Sequence, residues 1–308
     1  YSHPQKFTVT SEDGNWHKEY SVIIDTFDLP LRYDFEHYEL NETGKYQVFF
    51  EETQGTALFK QYIWASGNSG FALTGVGRNP QEYPTVSIEN GIDGSRAIKL
   101  ETKSTGQFGE TVKMPIAAGN LFLGSFDVNN AVQKPLKATR FGLPFGKKPL
   151  QLKGYYKYTP GTQPFKAKDK NGNTVTIPGQ EDEGDIYAVL YEAAELDGKA
   201  LDGNNVLTSE NIVALARVEV EKKDEFTAFH VDFHYGSRIP IDWPKFIQDQ
   251  RDPSDDGTDE YLPFKEKKMK NYEYNLAVVF TSSKYGAYFA GSVGSTLCID
   301  KVEIVCEK

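Results

Sequence analysis

The sequence predicts an all-β protein, an antiparallel β-sandwich of the jelly-roll type, and three observations carry that expectation. Strand-like apolar segments recur along the chain, turn residues separate them, and no long helical pattern interrupts them. The segments fall near 31–37, 47–50, 71–75, 96–103, 121–128, 151–158, 185–193, 212–221, 226–235, 274–282 and 296–305. The punctuation comes from 27 Gly and 15 Pro together with Asn and Asp, as in Gly67-Asn-Ser-Gly70 and Lys170-Asn-Gly-Asn173. One short helix is expected at 243–249, where Asp242-Trp-Pro resembles a cap followed by proline in the first turn.

A chain of 308 residues is long enough for two domains at about 150 residues each, although a sandwich of about 250 residues can stand as one. Aromatics supply much of the core material, with 20 Phe, 18 Tyr and 3 Trp against 2 Met. Flat aromatic rings serve sandwich cores and sugar-binding surfaces equally well. The net charge of −10 argues against nucleic acid as a partner, because phosphate backbones require a basic footprint. No run of 18 apolar residues is present, so no transmembrane segment is expected. The chain opens on Tyr1 rather than Met, as a processed or trimmed polypeptide would. Cys298 and Cys306 lie in one strand-like stretch, ~26 Å apart if extended. That is far beyond the roughly 7 Å Cα limit of a disulfide, so both are read as free core residues.

The first 25 residues read as a hairpin. Phe7-Thr-Val-Thr10 alternates, Glu12-Asp-Gly14 turns, and Trp16 to Ile24 alternates again. Two strands cannot bury a core of their own. The hairpin is either an edge of the main domain or the tail of an immunoglobulin-like domain; the second is expected, with residues 1–25 the C-terminal hairpin of a truncated immunoglobulin-like domain and residues 26–308 the jelly roll. The segment from Gln248 to Glu260 is acidic and reads as a solvated loop.

Period-two alternation assigns faces to the strands. In Phe226 to Tyr235, Phe229, Val231 and Phe233 point to the core, leaving His230, Asp232 and His234 on the other face, which is either solvated surface or the floor of a cleft. In Asp185 to Glu192, Ile186, Ala188 and Leu190 share one side, Tyr187, Val189 and Tyr191 the other, and the two end carboxylates fall on opposite faces. Trp64 opens a loop reaching Phe71, where Trp stacks on a pyranose and Asn68 bonds sugar hydroxyls, or else Trp64 plugs the sandwich and Asn68 turns the chain. Arg140 carries a planar fork suited to carboxylate or sugar, with a structural ion pair as the alternative. Tyr155 lies in a strand with tyrosines on both faces, so one of them must leave the core. Parity in the last strand places Asp300 with Cys298, Val302 and Ile304 in the core, where a carboxylate must be paired or bind a cation. The closing strand is similar to that of many carbohydrate-binding jelly rolls, and that resemblance implies a structural calcium held by Asp300 and Glu36, with Asp34-Phe-Glu36 as the oxygen source; no other cofactor is required. The Glu-x-Asp-x-x-Glu strand pattern of one class of jelly-roll glucanases is absent, as are nucleophile-elbow, P-loop, dinucleotide and HExxH motifs.

Several of these segments together resemble one family: Tyr33-Asp-Phe-Glu36, the Trp64–Phe71 loop, Ile98-Lys-Leu-Glu-Thr102, Ala117-Ala-Gly-Asn-Leu-Phe-Leu-Gly-Ser-Phe126, Ala138–Phe145, Lys147–Tyr158, Asp185–Glu192 and the closing strand. The resemblance is to the putative carbohydrate metabolism domain of Bacteroidetes, over about residues 26–308. It implies a jelly roll following an immunoglobulin-like domain, in an exported and often lipid-anchored protein of the periplasm or outer-membrane surface. The implied partners are an oligo- or polysaccharide and other glycan-utilisation proteins. The expected carbohydrate-binding residues are Trp64, Asn68, Arg140, Tyr155, Asp185, His230 and Asp232. The alternatives are a glycoside hydrolase or lyase, in which two of Asp185, Glu192, Asp232 and Glu101 converge, and a structural or adhesive surface module.

Overall fold

The computed structural model describes residues 5–22, 28–54, 58–196, 199–238, 241–251 and 260–308. Two antiparallel sheets stack face to face, forming the jelly-roll sandwich. One sheet has six strands, ordered Lys223–Asp232, Pro149–Thr159, Thr296–Cys306, Ala97–Glu101 and Thr85–Ile88, with Arg32–Tyr33 pairing the far half of Thr296–Cys306. The other has eight, ordered Thr139–Phe141, Asn120–Phe126, Tyr274–Thr281, Asp185–Glu192, Ile212–Val218 and His234–Tyr235. Trp64–Ala65 and Leu143–Pro144 are added along its length. Leu152, Tyr156, Phe229, Leu297 and Ile299 from the first sheet meet Leu121, Ile186, Ala188, Leu190, Val278 and Phe280 from the second in one core.

The eight-stranded sheet is covered on both faces, which explains its continuous apolar strands. All eight residues of Asp185–Glu192 are buried. Their parity is as expected: Ile186, Ala188 and Leu190 enter the sandwich, while Tyr187, Val189 and Tyr191 join a second cluster with Phe122, Phe141, Val206 and Leu215 on the outer face. The first sheet keeps a wet outer face. Phe229 and Phe233 are buried and His230, Asp232 and His234 are exposed, also as alternation predicts. Past Asp232 the chain leaves the six-stranded sheet, and His234–Tyr235 pairs with the eight-stranded one, so Phe233 closes the open edge of the sandwich.

Two glycines leave room for close neighbours, backbone at one and an aromatic ring at the other. A Cβ on Gly119 would lie 2.3 Å from the Glu101 nitrogen and 2.4 Å from the Pro84 oxygen. On Gly154 it would lie 2.9 Å from the Phe229 ring. Both sit in the Ala-Gly-Asn-Leu-Phe and Gly-Tyr-Tyr-Lys-Tyr segments, whose sequence is thus set by sheet packing.

Four expectations change. Segment 71–75 is not a strand, because Asn68–Ala72 is a short helix. The helix near 243–249 exists as Lys245–Gln248, but Pro244 holds the cap position and no side chain caps it. The closing strand does not keep one parity. Lys153 pairs with Glu303 and Tyr155 with Asp300, so one extra residue bulges there, and Lys301 adopts φ 46°. Leu297 and Ile299 face the core before the bulge, Val302 and Ile304 after it, and Asp300 falls on the outer face. The strand also leaves Cys306 half-buried, whereas Cys298 is buried; both thiols are free.

The hairpin consists of Gln5–Thr10 and His17–Val22 with Phe7 opposite Tyr20. Phe7, Val9, Trp16 and Tyr20 are exposed. The expected boundary at Asp25 and most of the 248–260 loop lie outside the described residues.

One buried acid gives the fold a pH dependence. Burial, opposed by the Trp64 hydrogen bond and reinforced by the Asp34 charge, lifts the Glu51 carboxyl to about 7. A carboxyl raised on folding contributes stability below its unfolded pKa that is lost as pH rises through the folded value. Stability is thus expected to fall by up to about 3 kcal/mol between pH 5 and 8 from this group. Glu51→Gln, which still accepts from Trp64, should remove that share of the slope. Urea titrations across the range check it; an unchanged slope refutes the assignment to Glu51.

Candidate functional site

A cavity of about 210 Å³ lies on the outer face of the eight-stranded sheet. Its floor is Phe122, Phe141, Tyr187 and Val279, residues that alternation turns away from the sandwich. Loops from 67–74, 105–118, 126–139, 203–208 and 284–289 wall it in, with Trp243 and Arg251 from the segment around Lys245–Gln248. One end is charged. Arg217 Nε donates to Asp185 Oδ1 at 3.0 Å and Nη2 to Oδ2 at 2.7 Å, a bidentate pair. Burial disfavours the Arg217 cation, but the Asp185 charge and these hydrogen bonds outweigh it, so its pKa rises above the usual value. The guanidinium lies 5.9 Å from the centre of the Tyr187 ring. Lys284, which also lines the cavity, pairs with Glu183 at 2.8 Å. Arg251 stacks 4.2 Å from Trp243 and donates to Tyr288 Oη at 3.1 Å.

Of the residues expected to bind sugar, Asp185 alone lines this cavity. Trp64 is 4% exposed and packs among Tyr33, Phe35 and Phe280 with ring centres 5.0, 5.5 and 6.0 Å away, while its Nε1 donates to Glu51 at 2.8 Å. It is a core plug. Asn68 is fully buried and works as a surrogate strand: its Nδ2 donates to the Thr85 carbonyl at 2.8 Å and its Oδ1 accepts the Thr85 N–H at 3.1 Å. Arg140 is exposed and pairs with Asp127 at 3.2 Å, the structural alternative. Tyr155, His230 and Asp232 lie on the six-stranded sheet, on the far side of the sandwich, and Asp232 accepts from Gln151 at 2.7 Å. The loops that follow Trp64 and precede Arg140 do wall the cavity, although neither residue enters it.

Arg217 was not among the expected residues. Its signal was present in Ile212-Val-Ala-Leu-Ala-Arg-Val218, since a cation in an apolar strand requires a partner. It shares the parity of Leu215, which faces the outer cluster, and it stands beside Tyr187 on the neighbouring strand.

The four carboxylates considered for hydrolysis do not converge. Asp185 and Glu192 end the same strand, seven residues or ~23 Å apart, and Glu192 is ion-paired with Lys268. Glu101 is held by Lys99 and Lys103 in the other sheet. Asp232 is exposed at that sheet's edge. Asp185 is the one carboxylate lining the cavity among the described residues.

Asp300 accepts from protein donors at both oxygens, and Glu36 does so at one. Ile92 N, Ser95 Oγ and Lys301 N reach Asp300 at 2.6, 2.8 and 2.7 Å, and Arg96 N reaches Glu36 at 3.0 Å. The described residues contain no group of three or more His, Cys, Asp or Glu arranged for a metal ion. The pairing that a buried Asp300 needs therefore comes from backbone and hydroxyl groups.

Fold and cavity together define an all-β jelly-roll sandwich with a walled pocket on one sheet. The chain belongs to the family described as the putative carbohydrate metabolism domain, which matches residues 34–305. It is 41% identical to a crystal structure described as a putative glycoside hydrolase from Bacteroides thetaiotaomicron, covering 99% of this chain and 79% of that one with a TM-score of 0.74. A second, from Bacteroides vulgatus and described likewise, is 35% identical with a TM-score of 0.71, covering 92% of this chain and all of the other. No curated protein matches the chain.

Proposed function

We propose that this protein binds a glycan at the cavity on the eight-stranded sheet, using the Asp185–Arg217 pair, Lys284 and Tyr187 as its polar contacts. The observation that carries the reading is a walled pocket whose charged end presents several N–H and O–H donors but, among the described residues, a single carboxylate, itself tied to Arg217. Such an end suits hydroxyl recognition, whereas glycosidic hydrolysis by two acids requires a second carboxyl within about 5–9.5 Å. A purely adhesive module has no use for a walled pocket. The names of the two Bacteroides structures favour a hydrolase, and the same experiment decides between the readings. Calorimetry against plant and host polysaccharides should reveal binding to at least one, with no new reducing ends formed on prolonged incubation. Release of reducing ends would make the protein a hydrolase, and silence across the panel would end the binding proposal. An exported location at the periplasm or outer-membrane surface, lipid-anchored and alongside other glycan-utilisation proteins, belongs to the same proposal and rests on the family.

A further inference from the structure

Asn120, Asn204, Arg251, Lys284 and several threonines also line the cavity, but one side of it is apolar. Phe71, Phe108, Met114, Phe126, Val132 and Leu136 converge from three separate loops. The loops are packed tightly enough that a Cβ on Gly70 would lie 3.2 Å from the Phe126 ring. A bare sugar pushed against such walls would strand its hydroxyls, at about 1–3 kcal/mol for each unmade hydrogen bond. The size is informative too. At about 210 Å³ the cavity is smaller than the roughly 300–1,000 Å³ of sites that enclose a whole small molecule. An apolar cavity of roughly 150 Å³ is known to take up benzene. The space therefore fits one substituted aromatic ring, with hydrogen-bond donors waiting at one end.

We propose that the cavity receives an aryl ester group carried by the glycan, its ring among the apolar walls and its ester and sugar oxygens meeting the Arg217 and Lys284 donors. This deepens the glycan-binding reading and rests on it. Specificity would then reside in the substituent as much as in the sugar backbone, since the walls are shaped for the ring.

The test compares three probes by calorimetry: feruloylated arabinoxylan oligosaccharides, the same oligosaccharides after saponification, and ethyl ferulate. The expected result is binding of the feruloylated oligosaccharide at least about tenfold tighter than its saponified form. Val132→Asp, in a surface loop, and Phe108→Asp, at a position 41% exposed, should abolish that preference without lowering the melting temperature. Equal binding of the two oligosaccharides would overturn the inference and leave the glycan reading standing. Binding of ethyl ferulate with neither oligosaccharide, or no binding of any probe, would also overturn the inference, while the polysaccharide panel decides the glycan reading separately.

Discussion

Arg217→Met is expected to destabilise the protein by about 3–5 kcal/mol, because it leaves the Asp185 carboxylate buried without a counter-charge. Asp185 is 3% exposed and both its oxygens are bound by the guanidinium, so water has little access to replace the lost partner. Removing the whole pair in Asp185→Leu/Arg217→Met should recover most of that loss, since apolar packing then replaces two costly desolvations. The double variant separates stability from recognition: it should fold and yet lose affinity for any glycan that the wild type binds. Urea unfolding at pH 7 measures the first quantity and calorimetry the second. A single variant costing less than about 1 kcal/mol would mean that the pair is screened like a surface ion pair.

Trp64→Ala should cost a comparable ~3–5 kcal/mol, as expected for deleting a large aromatic from a packed core. The indole touches Tyr33, Phe35 and Phe280 at the junction of the sheets and satisfies Glu51. Its loss therefore empties space that the strands cannot fill by collapsing. Binding at the outer cavity should survive at temperatures where the variant remains folded. Lost affinity with a melting temperature within ~2 °C of wild type would instead return Trp64 to the site. This pair of outcomes matters because residue type alone permitted either role.

Alternation found the faces of Asp185–Glu192 because that strand lies wholly within one sheet, and those of Phe226–Tyr235 because the parity survives the crossing at Phe233 from one sheet to the other. It failed at Asp300, where the extra residue at Lys301 reverses the parity and no residue type announces it. Segment 71–75 read as extended, but Asn68–Ala72 is a short helix whose Phe71 packs against Tyr83. The site was legible in part. Asp185 was found by its place at the end of an apolar strand, but its partner lies 32 positions away on the next strand.

By itself, the sequence determined the all-β class, the sandwich-facing residues of its long strands and the family to which the chain belongs. These follow from local periodicity and from motifs such as Ala-Gly-Asn-Leu-Phe, which encode close backbone packing. Only the tertiary structure decided which sheet is covered on its second face and where the pocket opens. It also decided that Trp64, Asn68 and Arg140 hold the fold while Asp185 and Arg217 meet at the cavity. Those outcomes depend on contacts between residues far apart in the chain, and neither period nor composition records which buried polar group finds which partner.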